Sequence, residues 1–173
     1  MNQRNQSDLL RVGLLGCGVV GSEVARLLAA NQSDFASRSG AALEITKIAV
    51  RTIKDRPGID KSLFTTDAQS VVNDPDIDVI IEVMGGIDEA KDLLFTAIKN
   101  GKSVITANKA LLAKFGNELF HAADDAGVDF YYEAAVAGAI PIIRPLSESL
   151  VGDHITKVMG IINGTTNYIL TQM

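Results

Sequence analysis

The 173 residues carry 21 acidic against 16 basic side chains, a net charge of −5, with 47% hydrophobic and 5% aromatic residues; this fits about one domain with a real core and, lacking a basic patch, excludes a nucleic-acid binder. The single cysteine, Cys17, excludes an intrachain disulfide and fits a reducing compartment. The polar start over Met1–Leu10 has no signal-peptide core, and no apolar run reaches the ~20 residues of a membrane helix, so the expectation is a soluble cytoplasmic protein.

Residues 11–16 read as a buried strand. Val19 to Ala30 read as the helix that follows it, with Val20, Val24, Leu27 and Leu28 along one face. The junction is Gly16-Cys17-Gly18-Val19-Val20-Gly21, a GxGxxG between strand and helix, which is the phosphate-cradling turn of a dinucleotide site. Gly16 lets the chain turn tightly, Gly18 lets backbone approach a pyrophosphate, and Gly21 lets the helix close on the strand. The first helical amides, at Val19 and Val20, then face the anion. A glycine-rich turn with no ligand is the plain alternative. Cys17 reads as a small filler within the turn.

Asn31 to Gly40 reads as a polar loop and Leu43 to Val50 as the second strand, followed by a basic loop from Arg51 to Gly58. The tip of this strand reads the adenosine ribose. An acidic residue there would accept from a 2′-hydroxyl, but this chain offers Arg51, with Lys54 and Arg56 close behind, which suit a 2′-phosphate. The cofactor expected is therefore NADP(H) rather than NAD(H), against the alternative of a solvated basic loop.

Phe64 to Asp76 reads as a short loop-and-helix section. Ile77 to Val83 is the most apolar strand, and Met84-Gly85-Gly86 its exit loop, either a ligand path or a tight turn. Asp88 caps a helix to Asn100, which Gly101 stops; Ser103 to Thr106 is a strand; Asn108 caps the helix Lys109 to Ala126, with a break expected near Gly116 and a stop at Gly127. Val128 to Glu133 is the next strand. After Gly138 the pattern changes to a helix over Pro141–Leu150, a strand over Ile155–Ile162 and a turn over Asn163–Asn167 that enters a new helix.

Strands alternating with crossover helices imply an α/β fold with a Rossmann-type, doubly wound parallel sheet over residues 8–138, and 139–173 as the start of a second, substrate or dimerisation region. Ligands bind outside the carboxyl ends of such strands, which singles out the loops after Leu15, Val50, Val83, Ile105 and Tyr132. A lysine just beyond a strand's carboxyl end, such as Lys109, suits polarising a carbonyl oxygen or sharing in proton transfer; a solvent-facing lysine in the first helical turn is the alternative. Glu133, a carboxylate after an apolar and aromatic run, should be paired, hydrogen-bonded at a helix cap, or bound to a cation. His121 and His154 stand alone, so zinc is not expected.

Three stretches, Val104-Ile105-Thr106-Ala107-Asn108-Lys109-Ala110-Leu111-Leu112, Tyr132-Glu133-Ala134-Ala135-Val136-Ala137-Gly138-Ala139-Ile140-Pro141 and Gly160 to Leu170, follow in order behind the glycine turn, and with them the chain resembles homoserine dehydrogenase from Leu10 onward. The resemblance implies hydride transfer between a nicotinamide cofactor and the homoserine/aspartate 4-semialdehyde pair, on the route to threonine and methionine, in a homodimer. It implies Lys109 as the catalytic residue, also near the cofactor, Thr106 as a cofactor contact, and Met84 and Gly85 along the nicotinamide path. It implies a sodium ion held by Glu133 and the carbonyls of Val136, Gly138 and Ile140, hard oxygen donors that suit such an ion. Asn163, Gly164 and Thr165 form a polar turn that either approaches the substrate or simply starts a helix.

Chains of that family continue well past this length, with the acidic and lysine residues that hold substrate and a late segment completing the nucleotide domain. The expectation is a cofactor half with a stub of the substrate half, binding cofactor but turning over poorly, and self-associating through apolar surface left uncovered after Pro141. A non-catalytic NAD(P)-sensing module is the alternative function. A thioester-forming aldehyde dehydrogenase would need a cysteine nucleophile, for which Cys17 is badly placed.

Overall fold

The structure is a computed structural model and describes residues 9–160 and 164–173. Its six strands form one sheet in the order β3-β2-β1-β4-β5-β6, every neighbouring pair parallel. They are β1 (Leu9–Leu15), β2 (Ala42–Ala49), β3 (Phe64–Thr65), β4 (Val79–Glu82), β5 (Ser103–Thr106) and β6 (Phe130–Tyr131). The order runs outward both ways from β1, so the sheet reverses between β1 and β4 and a crevice opens at their carboxyl ends.

The helices are α1 (Val19–Ala30), α2 (Gln32–Ser39), α3 (Ala68–Val72), α4 (Asp88–Lys99), α5 (Lys109–Ala126) and α6 (Gly164–Gln172). Alternation along the strands splits the core between the two faces of the sheet. Leu15, Ile80 and Val104 meet Val71 and Val72 of α3, Leu93, Leu94 and Ala97 of α4, and Leu111 and Leu119 of α5. Leu14, Ile48 and Phe64 meet Cys17 and Ala25 on the face that α1 covers. In α4 the buried positions Ala90, Leu93, Leu94, Ala97 and Ile98 repeat at helical spacing, giving one continuous apolar stripe.

Several sequence expectations change. The buried face of α1 is Gly21, Ser22 and Ala25, while Val20 and Leu27 are 57% and 54% exposed. Small residues let the helix sit close on the sheet, and the Ser22 hydroxyl, donating to the Gly18 carbonyl at 2.8 Å, can be buried at little cost. The polar stretch after Asn31 is helical, as α2. Its Asp34 lies in the first turn, its Arg38 in the last, 3.8 Å from Asp34, and Gly40 ends it in the left-handed conformation. Polar composition hid a helix that has no fully buried residue. The short strand β3 escaped notice because only Ile48–Phe64 and Ala49–Thr65 pair.

Ile87, not Asp88, precedes α4 and has no side-chain capping bond, and Asp88 and Glu89 instead load the first turn with negative charge. Helix α5 runs unbroken through a buried Gly116. The sixth strand is two residues long and gives way to a 3-10 turn at Glu133–Ala135. The helix expected over Pro141–Leu150 contracts to a π-type turn, Pro145–Ser149, closed by Leu150 N–H donating to the Pro145 carbonyl at 2.9 Å. Residues 155–160 form no strand: they are exposed and pair with nothing among the described residues, and a strand without a ladder partner has no source of cohesion. Ile161 and Ile162 lie outside the described residues.

Candidate dinucleotide site

At the end of β1, Gly16 N–H donates to the Ala49 carbonyl at 2.9 Å and Val83 N–H to the Leu15 carbonyl at 2.9 Å, so three strand ends converge. Gly16 has φ +95°, and a Cβ there would lie 2.6 Å from Met84 Cα. A Cβ on Gly21 would sit on the Gly16 carbonyl oxygen, while Gly18 faces open space. The turn is thus closed toward the protein and open outward. Helix α1 begins at its Gly18 cap with no side-chain capping bond and no acidic residue in its first turn. Its leading N–H groups and positive dipole end are left for an anion.

A cleft of about 390 Å³ lies over this turn, lined by Gly16, Cys17 and Gly18, by Arg51, Thr52, Lys54 and Arg56 of the loop after β2, by Thr66 and Ala68, and by Val83, Met84 and Glu89. Arg51, Lys54 and Arg56 make no ion pair among the described residues, and Arg56 Nε is buried without a hydrogen-bond partner. The loop that carries them is anchored from both sides: Arg26 Nε of α1 donates to the Pro57 carbonyl at 3.2 Å, and Lys61 lies 3.1 Å from Asp55. Burial pushes the Cys17 thiol up, with Arg56 and Arg26 pulling the other way, so Cys17 is a packed thiol and not an activated nucleophile.

Beside the cleft, and reaching it at Val83 and Met84, a hydrogen-bonded network is built on β4 and β5. Glu82 is fully buried; its Oε1 accepts from Met84 N–H at 2.9 Å and Gly85 N–H at 3.3 Å, and its Oε2 from the Thr106 hydroxyl at 2.6 Å. Thr106 Oγ1 accepts from Asn108 N–H at 3.1 Å, Asn108 Nδ2 donates to the Gly86 carbonyl at 2.6 Å, and Asn108 Oδ1 accepts from Leu111 N–H at 3.1 Å. Asn108 is therefore the cap the sequence indicated, and Lys109 follows it as the exposed first residue of α5.

Gly16, Gly18, Arg51 and Met84 thus share one cleft, with Gly21 behind the turn and Val19 and Val20 exposed at the head of α1. Gly85 adjoins Met84, exposed and with φ +73°. The Thr106 side chain is fully buried and its hydroxyl is given to Glu82, so it faces the protein and not the cleft. Glu133 lies apart from the cleft: Oε1 accepts from Ile142 and Ile143 N–H at 2.6 and 2.9 Å, and Oε2 from Arg144 N–H at 2.8 Å. These bonds, Arg144 foremost, hold its carboxyl below the usual range. Val136, Gly138 and Ile140 lie on the turn between Glu133 and those amides. Asn163 is outside the described residues, and Gly164 and Thr165 open α6.

Sequence reasoning passed over Glu82, although a lone acid closing the apolar run Val79-Ile80-Ile81 was a visible signal. Thr66 and Glu89 carried none. A parallel sheet that reverses beside an open glycine turn, with a helix start free for an anion, defines a Rossmann dinucleotide-binding domain.

Residues 16–133 match the family described as "Homoserine dehydrogenase, NAD binding domain", and residues 141–173 match one described as "Homoserine dehydrogenase". The chain belongs to the homoserine dehydrogenase family. It is 46% identical over 166 residues to the homoserine dehydrogenase of Bacillus subtilis, covering 95% of this chain and 38% of that protein. To that of Corynebacterium glutamicum it is 50% identical over 163 residues, covering 94% and 37%. Its fold superposes on the crystal structure of a homoserine dehydrogenase from Thiobacillus denitrificans with a TM-score of 0.88 at 44% identity, covering 96% of this chain and 39% of that one. The chain therefore spans about two fifths of the length of these relatives.

Proposed function

We propose that this chain is the cofactor-binding portion of a homoserine dehydrogenase that uses NADP(H) to interconvert L-homoserine and L-aspartate 4-semialdehyde. Family membership supports the reaction, and one observation supports the choice of cofactor: three cations, Arg51, Lys54 and Arg56, line the ribose side of the cleft without an acidic partner among the described residues. A 2′-phosphate would satisfy their accessible guanidinium and ammonium groups. NAD(H) would leave them to solvent.

The cofactor, when bound, supplies the hydride. The residues of this chain bind and orient. The Gly16–Gly21 turn and the leading amides at Val19 and Val20 hold the pyrophosphate, Arg51 holds the adenosine end, and Met84 and Gly85 line the nicotinamide path. Lys109, at the mouth of β5, lies by the substrate oxygen and steadies the negative charge that builds there, or shares in its protonation. Thr106 serves this half from beneath, through Glu82 and Asn108.

The assay is homoserine-dependent reduction of NADP+ by the full-length protein, with Lys109→Ala expected to slow it about a hundredfold. Unchanged turnover in Lys109→Ala removes Lys109 from the chemistry. No turnover with homoserine at all contradicts the substrate assignment and favours a non-catalytic cofactor-sensing module.

A sodium ion held by Glu133 and the carbonyls of Val136, Gly138 and Ile140 belongs to the same reading, with the Glu133 carboxylate shared between the ion and three amides. Replacing sodium by choline chloride at equal ionic strength should then lower the melting temperature. Homodimerisation is likewise inferred: Ile140, Val151, Val158 and Met159 expose large apolar side chains in a short stretch of chain. A cytoplasmic enzyme is consistent with the described residues, in which no helix is long and apolar enough to cross a membrane.

A further inference from the structure

A carboxylate inside a sheet is costly unless its oxygens are occupied. Those of Glu82 are occupied from two separate loops. One oxygen takes the Met84 and Gly85 N–H groups as the chain leaves β4; the other takes the Thr106 hydroxyl at the end of β5. The bonds then close on themselves, because Thr106 Oγ1 accepts from Asn108 N–H and the Asn108 amide donates to the Gly86 carbonyl. Two strand exits separated along the chain by α4 are fastened into a single ring of hydrogen bonds. On the one side of that ring stand Met84 and Gly85, on the other Lys109.

Packing alone does not call for an acid here. The strand neighbours in register with Glu82 are Leu15 and Thr106, and the preceding residues of β4 are apolar. A glutamine would turn its NH₂ either toward Thr106 or toward the two backbone amides, so it cannot accept from all three donors.

We propose that Glu82 is a positioning residue that locks the β4 and β5 exit loops together, so that the nicotinamide half of the cofactor and Lys109 meet in a fixed geometry. This rests on the reading of the cleft as an NADP(H) site. It assigns the adenosine half to the loop after β2 and the nicotinamide half to the Glu82 ring, which reaches the cleft through Met84.

The test compares two ligands on the wild-type chain and on Glu82→Gln and Thr106→Val. Adenosine 2′,5′-bisphosphate carries the adenosine and its 2′-phosphate but no nicotinamide; NADPH carries both. The ratio of the NADPH Kd to the bisphosphate Kd should rise about tenfold in each variant, with bisphosphate affinity kept within about twofold. A purely structural role would weaken both ligands in parallel, and that result, or an unchanged ratio, overturns the proposal. Thr106→Val is isosteric and carries the test if Glu82→Gln does not fold; two variants that both fail to fold make Glu82 a folding group and overturn it as well. A wild-type chain that binds neither ligand sinks the cofactor reading itself, whereas binding of both with a ratio indifferent to Glu82 sinks this inference alone.

Discussion

Two glycines decide whether the turn exists. Gly16 adopts a φ of +95° against the Met84 backbone, and Gly21 has no room for a Cβ beside the Gly16 carbonyl. Gly21→Ala should cost about 1–3 kcal/mol, the usual price of overpacking against rigid backbone, read as a lowered denaturant midpoint, and should weaken dinucleotide binding by pushing α1 off the turn. An unchanged midpoint would mean that the helix can shift freely. These glycines were legible in the sequence because their spacing and context report a backbone requirement. The orphaned Arg56 Nε was not, because loop geometry decides which of the three cations lining the cleft is partly covered. Asp74 is a second residue with a measurable signature. Its bond to Lys47 at 2.6 Å, then the Asp76 N–H, hold its carboxyl below the usual range. Such a group adds stability above the unfolded-state pKa and loses it as the pH falls through the folded value. Asp74→Asn should therefore be less stable than wild type by about 1 kcal/mol at pH 7, with the gap closing below about pH 4; a constant gap across pH would show that charge is not involved.

At the scale of elements, strands and helices whose apolar spacing meets a continuous core were readable. Helix α4 and strand β5 match the sequence expectation nearly residue for residue, and Asn108 caps α5 as its position predicts. Asn108→Ala should destabilise the domain by about 1–2 kcal/mol, since the cap is lost and the Gly86 carbonyl loses its donor. Leu119→Ala, on the buried side of the same helix, should cost about 2–5 kcal/mol. If chemical denaturation places Asn108→Ala below Leu119→Ala in stability, the hydrogen-bonded ring contributes more than capping alone. Elements that lack an apolar face or depend on a tertiary pairing partner were not legible. Helix α2 is polar, β3 is two residues long, and the stretch 155–160 forms no strand, because strand-forming residues cannot by themselves supply a pairing partner. In α1, hydrophobic spacing was right in part: Val24 packs half-buried against the core and Leu28 is half-buried, while Val20 and Leu27 are exposed. The glycine turn dictates how the helix approaches the sheet, and the small residues Gly21, Ser22 and Ala25 make the closest contact.

For the whole molecule, the division of labour follows the sheet. The carboxyl ends of β1 and β2 hold the glycine turn and the cations, and those of β4 and β5 hold the Glu82 ring and Lys109. The described residues after Gly138 contribute little to this: Glu133 fastens the segment through three amides, and much of its apolar surface is exposed. Self-association through that surface should appear in sedimentation as a mass that rises with concentration, and a monomer across the whole range would remove the dimer from the account. The central claim is that the cleft over Gly16–Gly21 reads a 2′-phosphate through its basic loop. Calorimetric titration of the chain with NADPH and with NADH tests it most directly, repeated on Arg51→Asp. The account predicts tighter binding of NADPH, with that preference falling about tenfold or more in Arg51→Asp while NADH binding changes little. Equal binding of the two cofactors by the wild-type chain would contradict it.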